Sequence, residues 1–239
     1  MKKTFLFTAL ALTLSVNAFA QSVDEIVNKN IAALGGKEKL NSLKSVKIDA
    51  TISVQGMELP STIIQLNNVG MRSDFTVQGI KGTQVVTKSE GWAFMPFMGQ
   101  EKPSVSPADE VKQSQSDLDL AGPLVDYAKK GNKVEMSGKE LVEGKEAVKL
   151  KVTLNDGSEM EYFIDSVTGY TVKTIVRRKM NGQQGEISIV MSDYKKTPEG
   201  YIFPFTMNKI MTGGPGLLVI KVSNVEVNKP VDESIFEMP

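Results

Sequence analysis

Apolar positions along this chain change period twice, and the changes divide it into elements. Ser22 stands three residues before Glu25, a capping box, and Val23, Ile26, Val27, Ile31 and Leu34 follow at helical spacing until Gly35-Gly36. This predicts one amphipathic helix, with "KEKLNSL" as a short second helix or turn. From Ser45 the period drops to two: Val46, Ile48, Ala50, Ile52 and Val54 face one way, and Lys47, Asp49, Thr51, Ser53 and Gln55 the other. That pattern is a half-buried strand. Turn signals then recur about every ten residues, at Gln55-Gly56, Asn67-Asn68, Gln78-Gly79 and Ser89-Glu90-Gly91. Short strands joined in this way form an antiparallel meander.

The middle of the chain breaks the pattern. "PADEVKQSQSDLDLAGPLVDYAKKG", from Pro107 to Gly131, is polar, lacks a strand period and opens with proline at a first helical turn. It predicts one or two helices with a break at Gly122-Pro123. Strands resume over Lys133–Ser137, Ala147–Leu154, Glu159–Asp165, Tyr170–Met180, Glu186–Tyr194, Tyr201–Ile210 and Leu217–Val227, with hairpin turns at Asn155-Asp156-Gly157 and Asn181-Gly182. About eleven antiparallel strands, an N-terminal helix and a helical insertion read as a mainly β, α+β chain. The expected form is one large curved sheet wrapped around its helices or capped by them. A sandwich with a helical lid is the competing picture.

The first twenty residues change the count. Lys2 and Lys3, the apolar run Phe5 to Val16 and Ala18-Phe19-Ala20 form the three parts of an export signal cleaved before Gln21. The run is shorter than the roughly 17–25 residues of a membrane span. Setting these twenty of the 239 residues aside leaves 219, read as a single domain over 21–239. Removing Lys2 and Lys3 from the 28 basic side chains leaves 26 against 28 acidic ones, a net charge of −2. That balance argues against nucleic acid or an anionic membrane surface as the main partner. No cysteine is present to carry a lipid anchor or a disulfide.

Histidine is absent too, which removes histidine relays and His/Cys zinc sites. An enzyme here would need a carboxylate or lysine mechanism. Asn155, Asp156 and Gly157 have residues of a calcium loop without its spacing, so no metal and no cofactor is expected. Arg177 and Arg178 point to opposite faces of a strand and are read as a solvated sheet edge. Asp117 and Asp119, two apart on a helix, do not form a pair.

"GWAFMPFMGQ" over Gly91–Gln100 holds the single tryptophan. On a strand, Trp92 and Phe94 share one face, taken here as the inward one, and Pro96 ends the pairing, leaving Phe97 and Met98 at the lip, with Met95 a further candidate for ligand contact. So large an apolar area calls for cover by the helical insertion or by a ligand. Methionines recur in several segments, and flexible thioethers suit surfaces that accept varied apolar ligands. Met57 and Met71 are the candidates that join the aromatic group.

"IAALGGKEKLNSLKSVKIDATISVQGMELP", "GWAFMPFMG", "DLAGPLVDYAKKG", "LVEGKEAVKLKVTLNDG", "YFIDSVTGY" and "SDYKKTPEGYIFPFTM" resemble the exported outer-membrane lipoprotein-sorting proteins of the Bacteroidetes type, over nearly the whole mature chain. That family is similar to the LolA/LolB lipoprotein carriers and the RseB lipoprotein sensor. The resemblance implies an incomplete β-barrel closed by helices, with an apolar cavity for lipid or lipoprotein acyl chains. Together with the export signal this reads as a soluble periplasmic carrier or sensor, a monomer that binds lipid or lipoprotein acyl chains without chemistry, with an inner-membrane donor and an outer-membrane acceptor as its partners. For Arg72 the resemblance implies a part in holding the lid, with Val69-Gly70 standing where the carriers have a proline-containing stretch. The alternatives are an exported module that docks on a protein through the Trp92 lip, and a carboxylate- or lysine-based hydrolase.

Overall fold

The computed structural model describes residues 22–180 and 183–239. The export segment with its cleavage site, the Asn181-Gly182 turn and the side chains of Lys179 and Met180 lie outside the described residues. Helix α1 (Val23–Ala33) starts at the expected capping box, with Ser22 Oγ accepting from the Glu25 amide and the Glu25 carboxylate accepting from the Ser22 amide. Its apolar stripe is buried, and Asn30 on the same stripe donates to Gly169 O and Thr171 Oγ1, which fixes the helix on the sheet. Helix α2 (Lys37–Asn41) follows.

Five strands come next: β1 (Ser45–Val54), β2 (Met57–Leu66), β3 (Gly70–Val77), β4 (Ile80–Thr87) and β5 (Gly91–Phe94). Gln55-Gly56 and Gln78-Gly79 connect them with positive φ at both turn residues, the backbone that matches the twist of tight hairpins. After β5, Pro96–Met98 forms a 3-10 turn, so proline ends the pairing as expected. The chain continues through β6 (Ser104–Val105) and α3 (Ala108–Ser114) to β7 (Lys133–Val142), β8 (Lys145–Thr153), β9 (Glu159–Asp165), β10 (Thr171–Met180), β11 (Gln183–Lys196), β12 (Ile202–Met211) and β13 (Leu218–Val227). Thirteen strands are thus present among the described residues. The two-residue β6 is too short to carry a period in sequence.

All thirteen make one antiparallel sheet in the order β6-β5-β4-β3-β2-β1-β13-β12-β11-β10-β9-β8-β7. Its centre joins the first strand to the last, and β6 and β7 are left as unjoined edges. The sheet has to curl. Strands β4 and β10 are seven steps apart, about 34 Å if flat at ~4.8 Å per strand. Yet both touch α3, a seven-residue helix about 10 Å long. The incomplete barrel is therefore what the contacts demand, and the sandwich is not formed.

The insertion departs from its sequence reading. Only α3 and a 3-10 turn, Gln115–Leu118, are helical, and after Gly122-Pro123 the chain makes successive turns. Left-handed backbone at Gly122 and at Asp126 stops a second helix. The basic run is also placed differently. At Arg177 and Arg178 strand β10 is paired with β11, its pairing with β9 having ended at Val176, but Arg178 is not solvated: its side chain is 14 % exposed. Their opposite directions hold: Arg177 pairs with Glu161 and Glu186 on one face, and Arg178 with Asp117 on the other.

The main core lies at one end of the curl. Ile26, Val27 and Ile31 of α1 and Leu40 of α2 pack on Val46, Val148, Leu150, Val152, Ile164, Val225 and Val227. A smaller cluster of Val142, Ala147, Phe163 and Ile175 covers the outer face of β8 to β10.

Candidate apolar binding face

Strand register assigns each side chain to the helix side or the outer side of the sheet, because facing partners share a side and alternate residues do not. On β1 the helix side carries Val46, Ile48, Ala50, Ile52 and Val54, and the outer side Lys47, Asp49, Thr51 and Ser53. The alternation read from sequence is therefore correct, and the apolar row is the inner one. Following the pairs outward puts Ile63, Met71, Phe75 and Val86 on the helix side of β2 to β4. The same procedure through β13, β12 and β11 places Ile220, Leu218, Met207, Met211, Ile187 and Ile189 there.

These inner residues fall into two groups along the strands. At the α1 end, Val46, Val225 and Val227 are buried in the main core. Toward the other end, Ile52, Ile63, Met71, Phe75, Ile189, Met207 and Ile220 are only half-buried and belong to none of the packed clusters. Over this stretch the sheet's own helices leave these apolar side chains partly exposed, interspersed with Ser61, Ser73 and Gln84 on the same side. Complete burial of a fully exposed side chain of this kind is worth about 1.5–3 kcal/mol, and covering the remaining area of the half-buried row would release part of that per residue.

The aromatic stretch, expected to act as one lip, is split by the sheet. Trp92 pairs with Val85 and Phe94 with Thr83, and this side of β4 pairs with Arg72 and Asp74 of β3, so Trp92, Phe94 and Arg72 stand on the outer face. Trp92 does not face inward. It is 3 % exposed and packs with Val85 and Phe236, under a C-terminal segment whose 3-10 turn is Glu233–Phe236. Its indole N–H donates to the Phe236 carbonyl at 2.9 Å. On this side of β5 the cover is the chain's own C-terminal segment. Sequence offered little signal for it, because "VDESIF" has no period that assigns it to a face.

Met95 and Phe97 lie on the other side. Both approach Gly82, where an added Cβ would come within 2.6 Å of the Phe97 ring and 3.2 Å of the Met95 sulfur. Phe97 meets Phe75 edge to face at 5.6 Å. Met71 is on this inner face as well, Met57 stands at its rim with 41 % exposure, and Met98 projects outward at 74 %. The structure thus gathers Met95 and Phe97 with Phe75 around Gly82, leaves Met71 on the same face farther along β3, and separates all of these from Trp92, Phe94 and Arg72.

Arg72 does not reach the helical insertion. Its Nε donates to both Asp74 oxygens, at 3.0 and 3.1 Å, and a terminal nitrogen donates to the Ile235 carbonyl at 2.8 Å. Burial pushes the Asp74 carboxyl up, and hydrogen bonds from Arg72, Thr83 and Lys81 outweigh it, leaving the group below its ordinary value. A cleft of about 500 Å³ lined by Arg72, Lys81, Phe94 and Met238 runs beside this strap.

The arginine that grips the insertion is Arg178. Its two terminal nitrogens donate to the Asp117 carboxylate at 2.7 and 3.1 Å, and the Asp117 carbonyl accepts from Gln65 of β2 at 2.8 Å. Asp119 turns instead to Lys130. Tyr162, on the helix side beneath them, has its hydroxyl pushed up by burial and by the Asp117 and Asp119 charges, so it stays protonated. No three of the Asp and Glu side chains among the described residues converge as a metal site. None of the described helices is long and apolar enough to cross a membrane.

No family model and no curated relative matches this chain. Solved structures do. One, described as an outer membrane lipoprotein-sorting protein domain from Vibrio parahaemolyticus, superposes with a TM-score of 0.54 at 12% identity, covering 89% of this chain and 94% of its own. A LolA superfamily protein from Nitrosomonas europaea gives 0.54 at 12%, covering 86% and 96%. A DUF1329 family protein from Desulfovibrio piger gives 0.55 at 14%, covering 90% and 97%. At these identities the likeness is one of fold: the chain has the open β-barrel of LolA-like proteins over nearly its full length.

Proposed function

We propose that this chain is an exported periplasmic carrier that holds the acyl chain of a lipid or lipoprotein on the uncovered inner face of its curled sheet and does no chemistry on it. The observation that carries this reading is the row of half-buried apolar side chains on β1 to β4 and β11 to β13 that no packed cluster includes. The likeness to the Vibrio lipoprotein-sorting domain supports the cargo class, and the three-part N-terminal pattern supports export.

Burial supplies the affinity. At about 0.8 kcal/mol per methylene, a sixteen-carbon chain offers on the order of 12 kcal/mol gross, so release needs a partner that competes for the same surface. Donor and acceptor proteins in the two membranes would fill that role. Native mass spectrometry of protein purified in contact with bacterial membranes tests the reading. Lipid adducts are expected on the wild type and should be lost when Ile189 and Met207 are both changed to Asp. Adduct-free wild-type protein that also fails to bind added amphiphiles would reject it.

A further inference from the structure

Lys209 lies on the helix side of β12, opposite Ile189 of β11 and Leu218 of β13, with Met207 and Met211 two residues to either side. Its cross-strand partners and its neighbours two residues away on the same side are all apolar. It is half-buried, and among the described residues it makes neither a hydrogen bond nor an ion pair. An ammonium withdrawn from water without a partner is unfavourable, and burial does push Lys209 down from its ordinary value, helped by the Arg178 charge and opposed by Asp117. Arg178 is also incompletely matched. Its terminal nitrogens are taken by Asp117, but its Nε–H is buried with no acceptor. Arg178, with Asp117 on its terminal nitrogens, thus lies within electrostatic reach of an unpaired Lys209 beside the half-buried apolar row.

We propose that Lys209, backed by Arg178, receives the anionic head of a single-chain amphiphile, a carboxylate or phosphate whose alkyl tail lies along Ile189, Met207 and Ile220. The site rests on the carrier reading and adds the head chemistry to it. An anionic oxygen there balances the surplus positive charge and gives Lys209 the acceptor that the fold withholds. Flanking residues of β11 and β13 are apolar, so the head has no competing partner on either side.

The test is displacement of the neutral dye N-phenyl-1-naphthylamine from the full-length mature protein by three ligands of equal tail length. These are dodecanoate, dodecyl phosphate and neutral monododecanoylglycerol. Wild type is expected to bind the anionic ligands about tenfold more tightly than the neutral one, the scale of one charge-assisted hydrogen bond. Lys209→Met should abolish that preference, leave neutral binding within about twofold and not lower the melting temperature, since it removes an unpartnered cation. Lys209→Arg should keep the preference, and Lys209→Gln repeats the test should the Met variant aggregate. Preference for one anion over the other identifies the source of the head group. Equal binding of all three ligands by wild type, or a preference that survives in the Met and Gln variants, overturns the head site and leaves the carrier reading standing. Failure of all three ligands to displace the dye overturns both.

Discussion

Arg178 of β10 and Asp117 of the insertion are joined by two parallel hydrogen bonds at 2.7 and 3.1 Å, and through the Asp117 carbonyl the same residue holds Gln65 of β2. Strands β2 and β10 are five steps apart in the sheet, about 24 Å if flat at ~4.8 Å per strand. One residue of the insertion, by its carboxylate on one side and its backbone carbonyl on the other, therefore clasps the two walls of the curl. The Arg178 side chain is 14 % exposed and Asp117 32 %, so the pair is partly shielded from solvent.

Changing Asp117 to Ala is expected to cost about 1–3 kcal/mol in chemical denaturation, less than a fully buried pair because Asp117 is partly exposed. It leaves the Arg178 cation alone, so Arg178→Met together with Asp117→Ala should be more stable than Asp117→Ala by itself. Limited proteolysis should then open first within residues 106–131. A double variant no better than the single one would show that the insertion is held by its apolar contacts and not by this pair.

Trp92 reports on the C-terminal strap, and ligand is expected to leave its emission nearly unchanged. Phe236→Ala removes a buried ring stacked over Gly70, where an added Cβ would sit 3.0 Å from that ring, and should cost about 3–5 kcal/mol while shifting Trp92 emission to the red. Emission that stays blue in this variant would mean that Phe94 and Val85 shield the indole without the strap.

Acid should loosen the same strap. The Asp74 carboxyl is depressed in the folded state, so its contribution to stability is complete above the unfolded value near 3.8 and is lost as pH falls below that through the folded value. Arg72, freed from Asp74, then holds Ile235 less firmly. Trp92 emission should move to the red below about pH 4, and Asp74→Asn should remove that acid step while weakening the strap at neutral pH. A titration curve that is the same in the Asn variant would assign the step to other carboxylates.

Gly82 sets the height of the inner floor beneath Phe97 and Met95. Gly82→Val should displace Phe97 and cost about 1–3 kcal/mol by overpacking, with dye binding to the inner face reduced. Phe97→Ala in the same chain should restore much of the stability. If Gly82→Val alone is neutral, the 3-10 turn Pro96–Met98 moves freely and Phe97 is no part of the floor.

Local physics made much of the architecture legible from the chain alone. The Ser22 and Glu25 capping box, the alternation from Val46 to Val54, the Gln55-Gly56 and Gln78-Gly79 turns and the stop at Pro96 each follow from interactions within a few residues, and each stands in the structure. What alternation cannot supply is the identity of the two faces on a four-residue strand: Trp92 and Phe94 are as apolar as any core pair, and only the long-range register with β3 and β4 turned them outward. The strap that buries Trp92 comes from 144 residues away. In the same way, the arrival of Asp117 of the insertion turned Arg178 from a supposed solvated charge into the inner clasp, and the alignment of β12 with β11 and β13 set Lys209 between apolar neighbours. Helices and hairpins are decided by neighbours in sequence, whereas the covered and uncovered parts of this sheet are decided by which distant segments arrive to cover it.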